Sequence, residues 1–277
     1  MQIKSILMAL AVTLGVAALS TACATQPQQS AAAPRAQPTP PPNSPASTKP
    51  TIVELHGAFE DASSWSKVTR QLQSEGFSVI APAVQLRGVA SDTAALEGVI
   101  SAIQGPKLLV GHSYGGLLVS ELASRTPDVT ALVYVAAFIP QAGDTAGQLN
   151  SQFAGSLLGP ATTHMVSSPD GAEMYVNTAS FQELFAAGSA AADAAVNAAS
   201  QRPILAAAFD EKVAATAPAQ IRKYAIVATE DKAIPPAAER FEAQRAGAVI
   251  TDVRSPHAVP MTNPQAVVDV IHQAAGA

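Results

Sequence analysis

Lys107-Leu108-Leu109-Val110-Gly111-His112-Ser113-Tyr114-Gly115-Gly116-Leu117-Leu118-Val119 is the stretch on which the fold turns. Its first four residues form a short run suited to a buried strand, and from Gly116 onward the residues suit a helix. Between them stands G-x-S-x-G. A serine at that junction occupies a sharp strand-to-helix turn in a strained backbone conformation, and the flanking glycines remove side chains that would collide there. The hydroxyl of Ser113 then projects over the sheet at a helix N-terminus, where backbone N–H groups and the helix dipole favour a developing oxyanion. The five-residue pattern alone is common by chance; the strand before it and the added Gly116 make it specific.

Outward from this point the chain alternates short apolar runs with helix-length segments, the signature of a parallel sheet with crossover helices on both faces. Candidate strands are 51–55, 78–81, 107–110, 131–136, 224–228 and 248–253. Helices expected between them are 64–74, 92–104, 116–125, 236–245 and 264–274. In the first helix Trp65, Val68 and Leu72 recur at helical spacing and are expected to face the sheet. The alternation breaks over 139–220, an alanine-rich stretch with Gly/Pro punctuation that reads as several helices without a strand of its own. An ordered insertion of that length is a cap, since structureless loops so long are rare. Caps shape substrate pockets, so specificity is expected to reside there.

A serine hydroxyl needs a base to take its proton during attack. The chain has five histidines. His56 and His112 belong to tight turns whose glycine neighbours suggest backbone roles, His164 falls in the cap and His272 on the last helix. His257, in Ser255-Pro256-His257-Ala258-Val259-Pro260, follows a late strand, the position from which a base reaches the strand ends. The imidazole needs a carboxylate to fix its tautomer, and Asp231, just past the strand 224–228, is the leading candidate. Glu230 is its nearest rival, with Asp210 and Asp252 weaker. His56-Gly57-Ala58-Phe59, after the first strand, positions the Ala58 N–H to share an oxyanion with the Tyr114 N–H. His56, Phe59, His112 and Phe138, which flank these motifs, are the expected pocket lining.

The 277 residues are 48% hydrophobic and 13% charged, with a formal net charge of -5, which provides ample core and no basic footprint for nucleic acid or an anionic membrane. Residues 1–24 read as an export signal: Lys4 is the positive start, 6–18 the apolar stretch and Ala22-Cys23-Ala24 the small-residue end. Cys23, the single cysteine, follows Leu19-Ser20-Thr21-Ala22, similar to a lipobox with the leucine one place further away than usual. A lipidated, envelope-tethered protein and a simply cleaved periplasmic or extracellular one both remain open. Residues 25–50, rich in Pro, Ala, Gln and Ser, lack the apolar side chains needed to offset ordering entropy and read as a tether to a domain at 51–277.

Taken together, 56–59 with 61–65, 86–88, 110–116, 134–138, 229–235 and 255–260 resemble the EstC-like bacterial esterases of the α/β-hydrolase superfamily. They are similar, more distantly, to plant methylesterases and hydroxynitrile lyases. The resemblance spans about 51–274. It implies the α/β-hydrolase fold, a triad of Ser113, Asp231 and His257 in that chain order, oxyanion donors at Ala58 and Tyr114, a small-molecule ester substrate, and no metal or organic cofactor. It leaves oligomeric state open. The superfamily hosts esterases, amide and C–C cleaving enzymes and lyases on one frame. The lyases commonly use a lysine near the base, and there is none between Phe138 and Asp210. A non-catalytic binding protein is the reading from another class, opposed by competent residue types at every catalytic position. Glu60, beside the oxyanion turn, departs from the pattern and is expected to face solvent.

Overall fold

A computed structural model describes residues 49–276. The expected export signal and Cys23 lie outside the described residues, as does the expected tether apart from Lys49 and Pro50. In chain order the first half supplies β1 (Thr51–Leu55), α1 (Ser66–Ser74), β2 (Val79–Ile80), α2 (Val89–Ser101), β3 (Lys107–Ser113), α3 (Gly115–Arg125) and β4 (Val129–Ala137). An insertion follows, with α4 (Ala146–Ser151), β5 (Thr163–Ser168), β6 (Gly171–Val176), α5 (Thr178–Phe185), α6 (Ala191–Ser200) and β7 (Ile204–Leu205). The chain then returns through β8 (Arg222–Ala228), α7 (Pro236–Arg245), β9 (Val249–Val253), α8 (Val259–Thr262) and α9 (Pro264–Ala275).

The main sheet has the order β2-β1-β3-β4-β8-β9, and each pair in it is parallel. Side chains of a strand alternate between faces, and the two cores follow that alternation. Val53, Leu55, Leu109, Leu132, Tyr134 and Ala225 pack with Leu96 of α2, Leu117 and Leu122 of α3 and Ala243 of α7. Ile52, Leu108, Val110, Val133, Val135 and Ile226 pack on the other face with Val68 and Leu72 of α1 and Val267 and Ile271 of α9. Both faces are covered, which explains why the central strands read as continuous apolar runs. Trp65 is fully buried in the second core, as its helical spacing with Val68 and Leu72 predicts.

Two features differ from the sequence expectation. Helix α2 begins at Val89 rather than Asp92 because its cap is not local: Gly88 has no side chain to offer, and the Glu211 carboxylate takes the amides of Val89 and Ala90 at 2.7 and 3.0 Å. The insertion is not purely helical. β5, β6 and β7 form an antiparallel sheet of their own, with β5 and β6 joined across Ser168-Pro169-Asp170-Gly171. Pro at the second place of this turn and Gly at the fourth are turn chemistry. The strands escaped the apolar pattern because much of this hairpin faces outward, with Met165 and Val166 exposed.

Candidate active site

In an all-parallel sheet every strand ends at the same edge, so residues just after the strands gather there however far apart they lie in the chain. Ala58 follows β1, Ser113 ends β3, Phe138 follows β4, Asp231 follows β8 and His257 follows β9. Ser113 has φ 53, a left-handed conformation that few non-glycine residues adopt. Its surroundings admit it only because neighbours lack side chains: a Cβ on Gly57 would lie 2.6 Å from the Ser113 Cβ, and one on Gly111 would lie 2.6 Å from the Gly115 carbonyl oxygen. The elbow's strain is thus held by contacts between β3, α3 and the turn after β1.

His257 is fully buried, and its Nδ1 lies 2.5 Å from Asp231 Oδ2. The other Asp231 oxygen accepts from the amides of Ala233 and Ile234 at 2.6 and 2.9 Å, so the carboxylate is fixed from both sides. With the carboxylate accepting at Nδ1, the neutral ring carries its proton there and leaves the Nε2 lone pair exposed to the cleft. Nε2 has no hydrogen-bond partner among the described residues, and the Ser113 hydroxyl is not bonded to it in this conformation. Two of the rival acids are engaged elsewhere: Glu230 with Arg254 at 2.7 Å, and Asp252 with Arg240. Behind Asp231 lies Glu239, a buried residue of α7 whose Oε2 accepts from the Ala228 amide at 2.9 Å. Burial, and then the adjacent Asp231 charge, push its carboxyl well above the usual range, which favours the neutral form of Glu239.

Ser113 and His257 line one cleft together with Ala58, Phe59, Tyr114, Phe138, Leu158, Phe185, Phe209, Ala233 and Ile234. Among the described residues no backbone acceptor takes the amide of Ala58 or Tyr114. The Tyr114 phenol turns away and donates to Asp92 at 3.0 Å, leaving its backbone N–H as the group on offer to the cleft. Phe59 and Phe138 are among the residues that line the cleft, and His56 and His112 are not. His56 is fully buried between the Gly57 carbonyl and the Val84 amide, each 2.9 Å from a ring nitrogen, and so secures the turn instead. His112 is also fully buried, with Nδ1 2.9 Å from Glu60 Oε2 and Nε2 3.0 Å from the His257 carbonyl oxygen. Glu60 is therefore not solvent-facing; it is 6% exposed and inside this network.

Sequence reading expected the insertion to shape the pocket but named none of its residues. Phe185 at the end of α5 meets the His257 ring edge-on, with centroids 5.0 Å apart, and its carbonyl accepts from the Ala258 amide at 2.8 Å. Phe181 stacks on Phe185 and Phe59 meets it edge-on, closing the cleft from above. Phe-x-x-x-Phe at 181 and 185 is the signal that could have found this face, since residues four apart share one side of a helix. As closed, the cleft holds free space for about one water molecule. Leu158 and Phe209 also line a second cavity of about 420 Å³ with Phe153, Met174 and neighbouring small residues. A further cavity of about 640 Å³ is bounded by Lys67, Asp193, Arg254 and Met261 and is lined by none of the cleft residues.

The model of the alpha/beta hydrolase family matches residues 52–270. The chain belongs to that family. Among curated proteins, a carbendazim hydrolyzing esterase from Nocardioides sp. (strain SG-4G) is 31% identical over 107 residues, 34% of this chain and 44% of the relative. The chain thus matches less than half the length of that relative. Among solved structures, a pyrethroid hydrolase from Sphingobium faniae JZ-2 superposes with a TM-score of 0.69 at 20% identity, covering 82% of this chain and 98% of that one. Methylketone synthase I from tomato, complexed with 2-tridecanone, gives a TM-score of 0.71 at 20% identity, with 82% and 98% covered. At such identities these two structures establish the shared fold. Within the alpha/beta hydrolase frame, the geometry here can support nucleophilic attack by Ser113, proton transfer at His257 Nε2, and charge stabilisation by two backbone amides.

Proposed function

We propose that this protein is a serine hydrolase that cleaves small carboxylic esters through Ser113, His257 and Asp231. The observation that carries the reading is the His257 ring, tied to Asp231 through Nδ1 with an unpartnered Nε2 in the cleft that Ser113 lines. Ser113 and His257 line the same cleft, and catalytic hydrogen bonds of this kind commonly tighten only when substrate binds.

Ser113 Oγ attacks the acyl carbon while its proton passes to His257 Nε2, and Asp231 stabilises the imidazolium that forms. The former carbonyl oxygen takes negative charge at the Ala58 and Tyr114 amides; one such donor is worth about 3–4 kcal/mol of barrier. Collapse of the tetrahedral intermediate breaks the C–O bond to the alcohol, which leaves with the proton from His257. Water then loses a proton to His257 and attacks the acyl-serine. Carboxylic acid departs and Ser113 regains its proton. The named activity of the Nocardioides relative, hydrolysis by an esterase, agrees with this class. No nucleic-acid partner is part of the reading. Export through residues 1–24, with or without lipidation of Cys23, places this chemistry outside the cytoplasm as part of the same proposal.

A fluorophosphonate probe and p-nitrophenyl acetate test it. Wild type is expected to label and to show a burst of p-nitrophenol, and Ser113→Ala to lose both. Folded wild type that neither labels nor turns over ester would falsify the esterase reading and favour lyase or binding roles.

A further inference from the structure

Three segments must keep their places for the reaction just described: the turn bearing Ala58, the elbow bearing Ser113 and the loop bearing His257. One buried pair touches all three. Glu60 lies two residues past Ala58, and His112 immediately precedes Ser113. His112 reaches Glu60 with one ring nitrogen, at 2.9 Å, and the backbone carbonyl of His257 with the other, at 3.0 Å. A carboxylate and a carbonyl both only accept, so each nitrogen must donate, and the ring carries two protons and a positive charge. Burial disfavours charge on both partners, but their mutual attraction and hydrogen bond outweigh it. Together they hold the Glu60 carboxyl below its ordinary range and the His112 imidazole above its own. The His112 ring sits 4.7 Å from the His257 ring and meets Trp65 edge-on. The titratable groups acting on the pair, besides its own members, are His257, Asp231 and His56.

We propose that Glu60 and His112 form a charged clamp that fixes the backbone of His257, and through it the aim of Nε2, with Glu60 cancelling the positive charge beside the base. They are positioning residues, acting through His257 rather than on substrate, and the proposal rests on the reading of His257 as the base. Without the Glu60 charge two outcomes are open to His112. It stays cationic and repels the second positive charge that forms on His257 during reaction, or it loses a proton and gives up one of its two anchors. Both slow the chemistry while leaving the cleft walls, and so ester binding, in place.

Glu60→Gln removes the charge and keeps an acceptor of the same shape. With p-nitrophenyl acetate its kcat is expected to fall about 100-fold, the scale of a misplaced catalytic group, with KM within twofold (~2) of wild type. Where His112 stays cationic, the acid limb of kcat/KM is expected to move to lower pH, because its positive charge beside the base is no longer offset; where it loses a proton, the limb stays and the doubly protonated ring is absent from the variant's nitrogen-15 spectrum. Glu60→Asp, which keeps the charge, is expected to return the limb toward its wild-type position. A nitrogen-15 spectrum of wild-type protein labelled at histidine gives a check that needs no variant to fold: one ring is expected to remain doubly protonated at pH 8. Wild-type kcat in Glu60→Gln, a loss of activity in which the limb is unmoved while a doubly protonated ring persists in the variant, or a wild-type spectrum with every histidine neutral at pH 8 each overturns the clamp. Fluorophosphonate labelling of wild type separates these results from failure of the esterase reading, since the clamp can fail in an enzyme whose Ser113 still labels.

Discussion

Glu54 offers a test of the fold's energetics that leaves the reacting groups untouched. It sits next to the end of β1, fully buried, with Oε2 accepting from the Thr69 hydroxyl on α1 and Oε1 unpartnered. Burial pushes its carboxyl from 4.5 up to about 8 despite the help of Thr69. Below pH 4.5 both folded and unfolded chains hold the proton, and the site's contribution is fully present. Between 4.5 and 8 only the unfolded chain releases it, so each pH unit favours unfolding by about 1.4 kcal/mol. Above 8 both forms ionise and the loss is complete, on the order of 5 kcal/mol at most, with water penetration and relaxation reducing it. Glu54→Gln carries no proton to lose and keeps an acceptor for Thr69. Urea unfolding of the two proteins at pH 5, 7 and 9 measures the difference. Near-equal stabilities are expected at pH 5, with the variant ahead by about 2–5 kcal/mol at pH 9. Glu239 and Glu242, also buried with raised carboxyls, are present in both proteins and cancel in the comparison. Stability curves that stay parallel from pH 5 to 9 would show that Glu54 is ionised in the folded protein, and the reasoning from burial would be wrong.

Asp231→Asn keeps the shape of the side chain but removes the charge that selects the Nδ1–H tautomer of His257. Ester turnover is expected to drop about 10³–10⁴-fold with KM little changed, read from steady-state kinetics at pH 7. Gly57→Ala places a methyl group 2.6 Å from the Ser113 Cβ, so the elbow must shift. A stability loss of about 1–3 kcal/mol in urea and a kcat lowered about 100-fold are expected, and wild-type kcat would mean that the turn yields instead. Leu158→Ala and Phe209→Ala open the wall between the closed cleft and the 420 Å³ cavity. Across a p-nitrophenyl series from acetate to octanoate, kcat/KM for the longer esters relative to acetate is expected to rise about tenfold, and an unchanged ratio would show that the substrate never reaches that cavity.

What was legible in the sequence follows from how far apart the deciding residues lie. The G-x-S-x-G turn and the apolar run before it are local, and β3, the elbow at Ser113 and α3 stand where those signals put them. Ser113, Asp231 and His257 are 118 and 26 residues apart in sequence, yet each was marked by a local feature, a polar residue just past a strand, and the parallel sheet converts that feature into proximity. Features whose partner belongs to another element were not readable. The start of α2 depends on Glu211, 122 residues from Val89. Glu60 looks like a solvated acid until His112 is known to be 2.9 Å away, and His112 looks like a pocket histidine until both of its nitrogens are seen to be occupied. The β5–β7 sheet failed for another reason: a strand is recognised by the face it buries, and this hairpin buries little. Polar residues that support a site from behind are thus the class that single-sequence reasoning misreads, because what distinguishes Glu60 and Glu239 from surface glutamates is burial, and burial is a property of the assembled sheet and its helices.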